Sequence, residues 1–291
     1  MSTPPLIAAC EAAGLDPSGA ELLHLRANAV YHLPAAGVVV RLRHTRGSAE
    51  WQRRLASAVA ATSWLYEQGW PAVSPLPVEQ PVTVHGWTVT YWYYVPADGT
   101  RAPATVLGEL LATLHALPTP PVDLVPTNPL GQLLADIEHA DGALLDAERR
   151  DWLRTRAEQI SSAYASASFP LSSGLIHGDA HTGNLLHSGD RWLLGDWDSV
   201  STGPRIQDLI PPLEEVRHFG EPASTWHDLC RAYGVSSDLA DHPGTQLLAQ
   251  ARELRSLAAY IRAAHRDDVR AELNKRLETL MKNTTAIWQA I

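Results

Sequence analysis

The run Leu175-Ile176-His177-Gly178-Asp179-Ala180-His181-Thr182-Gly183-Asn184-Leu185-Leu186 leads through Ser188-Gly189-Asp190 into Trp192-Leu193-Leu194-Gly195-Asp196-Trp197-Asp198. Two short apolar runs around a Ser-Gly-Asp turn read as a hairpin. Asp179 and Asn184 then sit on the loop entering one strand, and Asp196 leaves the other. Phosphoryl transfer needs this set of groups. Nucleotide phosphates are anionic and need Mg²⁺, which takes hard oxygen ligands from one or two side chains. A hydroxyl nucleophile needs a carboxylate to orient it and accept its proton. One loop and one hairpin can supply all three oxygens.

The rest of the chain limits the setting. At roughly 150 residues per domain, 291 residues suggest two domains or lobes. The hydrophobic fraction of 45% is enough for a real core. A formal net charge of −9 argues against a nucleic-acid partner, which would require clustered Lys and Arg. The same balance permits a cationic small partner. Two cysteines, Cys10 and Cys230, allow no disulfide framework and no Cys-x-x-Cys knuckle. The N-terminus makes a poor signal peptide, with no basic start and Glu11 in its apolar stretch. No run of about 20 apolar residues offers a membrane span. The expectation is a cytoplasmic protein.

Residues Glu21 to Arg43 read as strands, with a turn at Pro34-Ala35-Ala36-Gly37 and a buried strand at Val38–Leu42. Ala49 to Gln68 reads as a helix stopped by Gly69 and Pro71. Val82–Val84 and Trp87–Tyr94 flank His85-Gly86 as an aromatic hairpin. After Pro96-Ala97-Asp98-Gly99 the periodicity turns helical. Leu107, Leu110, Leu111, Leu114 and Leu117 repeat at helical spacing, as do Leu145, Trp152, Leu153, Ile160 and Tyr164. Thr225 to Ile291 reads as mostly helical, with Val269, Leu273, Leu277 and Leu280 on one face. The fold class expected is α+β and bilobal. Residues 1–95 form a small β-rich lobe with one main helix, and 96–291 a larger, mostly helical lobe.

His-x-Asp, with Asn five residues after the Asp and a strand pair ending in Asp, resembles the catalytic and metal loops of the protein-kinase-like fold. The wording His177-Gly178-Asp179-x-His181-x-Gly183-Asn184, with Asp196-Trp197-Asp198 downstream, resembles the aminoglycoside phosphotransferase family. That family includes antibiotic kinases, choline kinase-like enzymes and homoserine kinase-like enzymes. Gly203-Pro204, Asp208-Leu209 and Leu107–His115 also match its pattern. The resemblance implies a kinase that moves the γ-phosphoryl group of ATP or GTP onto a hydroxyl of an antibiotic or related metabolite. It implies Asp179 as the catalytic aspartate and Asn184 and Asp196 as Mg²⁺ ligands. His177 and Asp208 become supports of the loop backbone. Asp198 becomes a contact to metal or substrate, or a cap. In the first lobe, Arg26-Ala27-Asn28-Ala29-Val30-Tyr31 resembles the nucleotide loop, with Asn28 in it, though it lacks glycine. Arg41 stands where the family usually has a phosphate-pairing lysine. Backbone groups around Tyr93, Tyr94 and Val95 are expected to bond the base edge.

One departure is plain. The family usually holds its basic strand residue with a glutamate from the next helix. The aligned position here is about Ala58, with Glu50 two turns earlier and Glu67 at the far end. The counter-charge is therefore missing or comes from elsewhere. Arg43 reads as a solvated edge charge. Trp87, Tyr91, Trp92, Tyr93 and Tyr94 read as packing, with one of them free to stack on a base. Glu214, Glu215 and Asp228 read equally as acceptor-pocket acids or as a solvated helix face. Three alternatives stay open: a kinase of a primary metabolite (sugar, amino alcohol or amino acid), a nucleotide-binding pseudokinase, and a zinc hydrolase using His177, Asp179 and His181.

Overall fold

The computed structural model describes residues 4–25, 28–96 and 98–290. Arg26 and Ala27 of the expected nucleotide loop lie outside the described residues. The chain forms two compact units. One comprises Met1–Ala102, Ala116–Pro126 and His177–Thr202; the other comprises Pro103–His115, Thr127–Ile176 and Gly203–Ile291.

The first unit opens with helix α1 (Leu6–Ala12), which the sequence reading missed. Strands β1 (Glu21–Leu25), β2 (Asn28–Leu33), β3 (Val38–His44), β4 (Val82–Val84) and β5 (Trp87–Tyr93) form an antiparallel sheet in the order β1-β2-β3-β5-β4. The β4–β5 turn uses His85 (φ 48°) and Gly86 (φ 81°), both left-handed, which matches the twist of a two-residue hairpin. Strand β3 is fully buried at alternate positions. Val38, Val40 and Leu42 are buried, while Val39, Arg41 and Arg43 are only half-buried. The cause is one-sided covering. Val40 and Leu42 pack with Ala9, Cys10, Ala29, Val89 and Tyr91 in one core. The alternate positions face the other way, because strand side chains have a period of two. Tyr91 Oη donates to the Ala9 carbonyl (2.6 Å) and ties α1 to the sheet. Burial pushes that phenol up to about 12.

Helix α2 (Ala49–Glu67) starts on Ser48, whose Oγ accepts from the Trp51 N–H (3.5 Å). It ends before Gly69 (φ 69°), as the stop signal implied. Leu55, Ala58, Ala61 and Leu65 are buried along it.

Further along the chain lie α3 (Ala104–Ala116), α4 (Leu133–His139), α5 (Ala147–Ser166) and short strands β6 (Ser173–Ile176), β7 (Leu185–Ser188), β8 (Arg191–Leu194) and β9 (Ser201–Pro204). The β7–β8 hairpin pairs Leu185 with Leu194 and Ser188 with Arg191. It belongs to the first unit, where the Val73 N–H donates to the Leu194 carbonyl (2.9 Å) and the Leu194 N–H to the Pro71 carbonyl (2.9 Å).

The second unit also contains α6 (Ile210–His218), α7 (Ala223–Tyr233), α8 (Pro243–Ala263) and α9 (Asp267–Met281). One apolar core joins Leu133 and Ile137 of α4, Leu153 and Ile160 of α5, Leu254 and Leu257 of α8, and Val269, Leu273 and Leu277 of α9. Helices α3 and α7 approach closely at Gly108, where a Cβ would lie 2.5 Å from the Leu229 carbonyl oxygen. The region is mostly helical, as expected; α9 ends at Met281, and residues 284–290 are irregular. Main-chain and ring contacts hold that tail instead. The Trp288 N–H donates to the His218 carbonyl (2.7 Å), and the two rings stack at 3.8 Å. Among the described residues no helix is long and apolar enough to cross a membrane.

Candidate active site

His177 is fully buried and joins two loops of the first unit. Its Nε2 lies 2.9 Å from the Gly195 carbonyl, which can only accept, so Nε2 carries the proton. Its Nδ1 then accepts from the Asp179 N–H (3.3 Å). One ring thus links the segment carrying Asp179 to the residue before Asp196. The ring packs edge-on against Trp197 (4.6 Å), which is itself buried and donates from Nε1 to the Leu194 carbonyl (2.9 Å). A second link runs through Asn184. Its Nδ2 donates to the Asp179 carbonyl (3.0 Å), and its own carbonyl accepts from the Gly195 N–H (2.9 Å). Holding the amide nitrogen this way turns Oδ1 in the opposite direction.

Gly178 makes the loop possible. It has φ 83°, and a Cβ there would lie 2.3 Å from the Ser199 carbonyl oxygen. Gly178→Ala therefore meets both a backbone penalty and a collision with main chain. It is expected to destabilise the protein by about 1–3 kcal/mol or more in denaturant unfolding.

Asp196 sits in left-handed backbone (φ 58°, ψ 56°), a conformation Asp tolerates better than most residues. Its Oδ1 accepts from Arg41 Nη2 (2.7 Å), and the same Nη2 lies 3.0 Å from Asp198 Oδ2. Burial pushes the Asp196 carboxyl up, and nearby Asp179 adds to that. The charge and hydrogen bond of Arg41, helped by His177, outweigh both and hold it below the usual carboxylate range. Burial alone would lower the Arg41 pKa, but Asp198 and Asp196 raise it above its ordinary value. Removing the guanidinium leaves the upward influences unopposed except by His177. In Arg41→Ala, the Asp196 carboxyl should therefore titrate at a higher pH than in the parent, as read from its carboxyl carbon shift in an NMR titration.

Asp179, Asn184 and Asp196 offer a half-exposed carboxylate, an amide oxygen and an exposed carboxylate. This hard-oxygen set suits Mg²⁺, which takes one or two protein oxygens and completes its shell with phosphates and water. Asn184 and Asp196 are the residues that would hold it.

The remaining candidates are placed as follows. Asn28 Nδ2 donates to Asp198 Oδ2 (3.0 Å). The Tyr93 N–H donates to the Ser74 carbonyl (3.0 Å) and the Tyr94 N–H to the Gly37 carbonyl (2.9 Å). Both donors are engaged within the first unit. Trp87, Tyr91 and Trp92 are buried, whereas Tyr93 is 49% exposed. Asp208 is fully buried in the second unit, 3.1 Å from His115 Nε2; His115 Nδ1 in turn lies 2.8 Å from Tyr233 Oη. The reading of Arg43 as a solvated charge is corrected. Its Nη1 donates to Asn28 Oδ1 (2.9 Å) and lies 3.6 Å from Asp198 Oδ2, and its guanidinium covers the Trp51 ring at 3.6 Å. Sequence periodicity could not show this, because the partners come from separate elements.

His181 Nδ1 accepts from the Gly183 N–H (3.1 Å), and His187 bonds Asp98 (2.6 Å), which holds that carboxyl down to about 2. No group of three or more His, Cys, Asp or Glu suited to a metal occurs among the described residues, so the zinc alternative lacks its ligands. Glu214 is not on a solvated face. It is buried, with Oε2 on Arg252, while Asp228 pairs with Arg231 (2.6 Å).

No curated protein matches this chain. Among solved structures, an amicoumacin kinase in complex with AMP-PNP, Ca²⁺ and Ami aligns over 96% of this chain and 93% of its own, at 14% identity and a TM-score of 0.69. A microcompartment-associated aminopropanol kinase aligns over 94% of each chain, at 16% identity and a TM-score of 0.71. A choline/ethanolamine kinase family protein from Mesorhizobium loti aligns over 95% and 93%, at 20% identity and a TM-score of 0.63. The α+β, kinase-like fold is thus established. The family model described as "Phosphotransferase enzyme family" matches residues 20–248. The chain belongs to the phosphotransferase enzyme family.

Proposed function

We propose that this enzyme transfers the γ-phosphoryl group of ATP or GTP to a hydroxyl of an antibiotic or related metabolite. The observation that carries this reading is the link made by His177. One buried ring ties the Asp179 loop to the Gly195–Asp196 turn, and Arg41 lies 2.7 Å from Asp196. Asp179 orients the acceptor hydroxyl and takes its proton as the new P–O bond forms. Asn184 and Asp196 hold the divalent cation, and Arg41 meets phosphate oxygens with its planar fork. Bound Mg²⁺ supplies neutralising charge on the triphosphate. The chain's own part is positioning and preorganised charge. Val95 and its neighbours take the base edge. His177 and Asp208 support the frame, His177 directly on the loop backbone.

The antibiotic preference rests on the amicoumacin kinase likeness, and the −9 charge suits a cationic acceptor. The aminopropanol kinase likeness favours a second reading, an amino-alcohol acceptor. The pseudokinase alternative is weaker, because Arg41 has carboxylate partners despite the uncharged position in α2. Two buried free thiols fit a reducing compartment such as the cytoplasm. The test is a screen of antibiotics and amino alcohols with Mg²⁺ and ATP or GTP, read as nucleoside diphosphate release and acceptor mass gain. Acceptor-dependent release of ADP or GDP is expected. Nucleotide binding without turnover on any acceptor would favour the pseudokinase.

A further inference from the structure

Arg41 stands on the strand position from which a kinase-like enzyme contacts the phosphates, and such a residue needs an anion to fix its long side chain. In protein kinases a glutamate from the following helix does this. Helix α2 offers no such group. Ala58 is fully buried and uncharged, Glu50 pairs with Arg54 (3.0 Å), and Glu67 lies at the far end of the helix.

We propose that Asp198 is the positioning residue for Arg41, replacing the helix carboxylate, and that Asn28 and Arg43 hold Asp198 for this task. This rests on the kinase reading above. Asp198 Oδ2 receives Arg41 Nη2 (3.0 Å) and Asn28 Nδ2 (3.0 Å), with Arg43 Nη1 at 3.6 Å. Arg43 also donates to Asn28 Oδ1 (2.9 Å), so two strands of the sheet close one network around that oxygen. The two carboxylates that share Arg41 are not equivalent. The Asp196 side chain is 48% exposed and the Asp198 side chain 14%. A cation taken up by Asp196 competes with Arg41 for it; Asp198, deeper and held by further donors, remains. Its backbone lies in the short helical turn Trp197–Ser199, which buried Trp197 anchors through its hydrogen bond to the Leu194 carbonyl. Fixing the guanidinium limits the rotamer freedom that it would otherwise lose on meeting phosphate. Asp198 Oδ1 is buried and has no hydrogen-bond partner among the described residues, so a direct metal contact is the rival role.

The test is a double-mutant cycle on the full chain, with Mg²⁺·AMP-PNP and Mg²⁺·GMP-PNP as binding probes. The variants are Arg41→Ala, Asp198→Asn and the pair, with Asp196→Asn as the metal control and melting curves to confirm folding. Each single change should raise the analogue Kd by about tenfold or more, and the pair should be no more than about threefold worse than the weaker-binding single. Half-saturating Mg²⁺ should stay within about twofold of the parent for Asp198→Asn and rise about tenfold or more for Asp196→Asn. Asp198→Glu keeps the charge and should recover part of the affinity. If the amide variant does not fold, the same cycle is run with Asp198→Glu, and non-additivity with Arg41→Ala is again expected. Multiplicative losses, or a Mg²⁺ shift in Asp198→Asn equal to that of Asp196→Asn, would overturn the proposal while leaving the kinase reading intact. A parent protein that binds neither analogue with Mg²⁺ would overturn both.

Discussion

Asp179→Asn should lower kcat by about 10²–10⁴-fold, the range removed with a general base, while leaving the nucleotide Kd nearly unchanged. The carboxylate faces the acceptor in the proposed mechanism, so its loss acts on the proton and not on the phosphates. Asp179→Ala should behave alike, since the backbone bonds that hold the loop, Asp179 N–H to His177 and Asp179 carbonyl to Asn184, do not use this side chain. Asp196→Ala should also lose turnover, but with Mg²⁺-dependent nucleotide binding weakened by about tenfold or more. Binding calorimetry with a non-hydrolysable nucleotide, beside turnover, separates the two. Equal losses of binding in both variants would reject this division of roles.

Arg276→Ala should be among the most destabilising single changes in the second unit, costing about 3–5 kcal/mol in chemical denaturation. The guanidinium is only 2% exposed. Its Nε donates to Glu272 Oε1 (3.1 Å), and Nη2 donates to Tyr260 Oη (2.7 Å) and the Gln289 carbonyl (3.0 Å). The Tyr260 and Trp288 rings lie at 4.0 and 4.6 Å. Removing it leaves the buried Glu272 charge with only Lys275 at 4.0 Å and the Gln289 N–H (2.8 Å), and unties residues 284–290. The stranded anion, more than the lost contact, sets the cost. Neutralising both partners, as in Glu272→Gln/Arg276→Met, should therefore recover about half of the loss. A double variant as unstable as Arg276→Ala would place the cost in the aromatic packing instead.

The elements with strong local signals were legible from the chain. The β4–β5 and β7–β8 hairpins carry turn residues suited to left-handed backbone, and α2 carries its own cap and stop. The proposal for Asp179, Asn184 and Asp196 also starts from the chain, because phosphoryl transfer asks for those residue types. Less was legible where neither signal acts. The seven-residue α1 is too short for its period to register. Residues 284–290 continue an apolar pattern, yet side-chain partners from α6, α8 and α9 hold them in an irregular path.

By itself, the sequence determined the sheet-then-helix order and the family, since both rest on residue type and short-range spacing. Only the tertiary structure decided what holds Arg41 and Arg43, and that Asn28 joins them. Arg41 and Asp198 are 157 positions apart, and no periodicity reaches across such a gap. A charged side chain selects its partner by which loop the folded backbone brings within about 3 Å, and that distance exists only after the chain has closed.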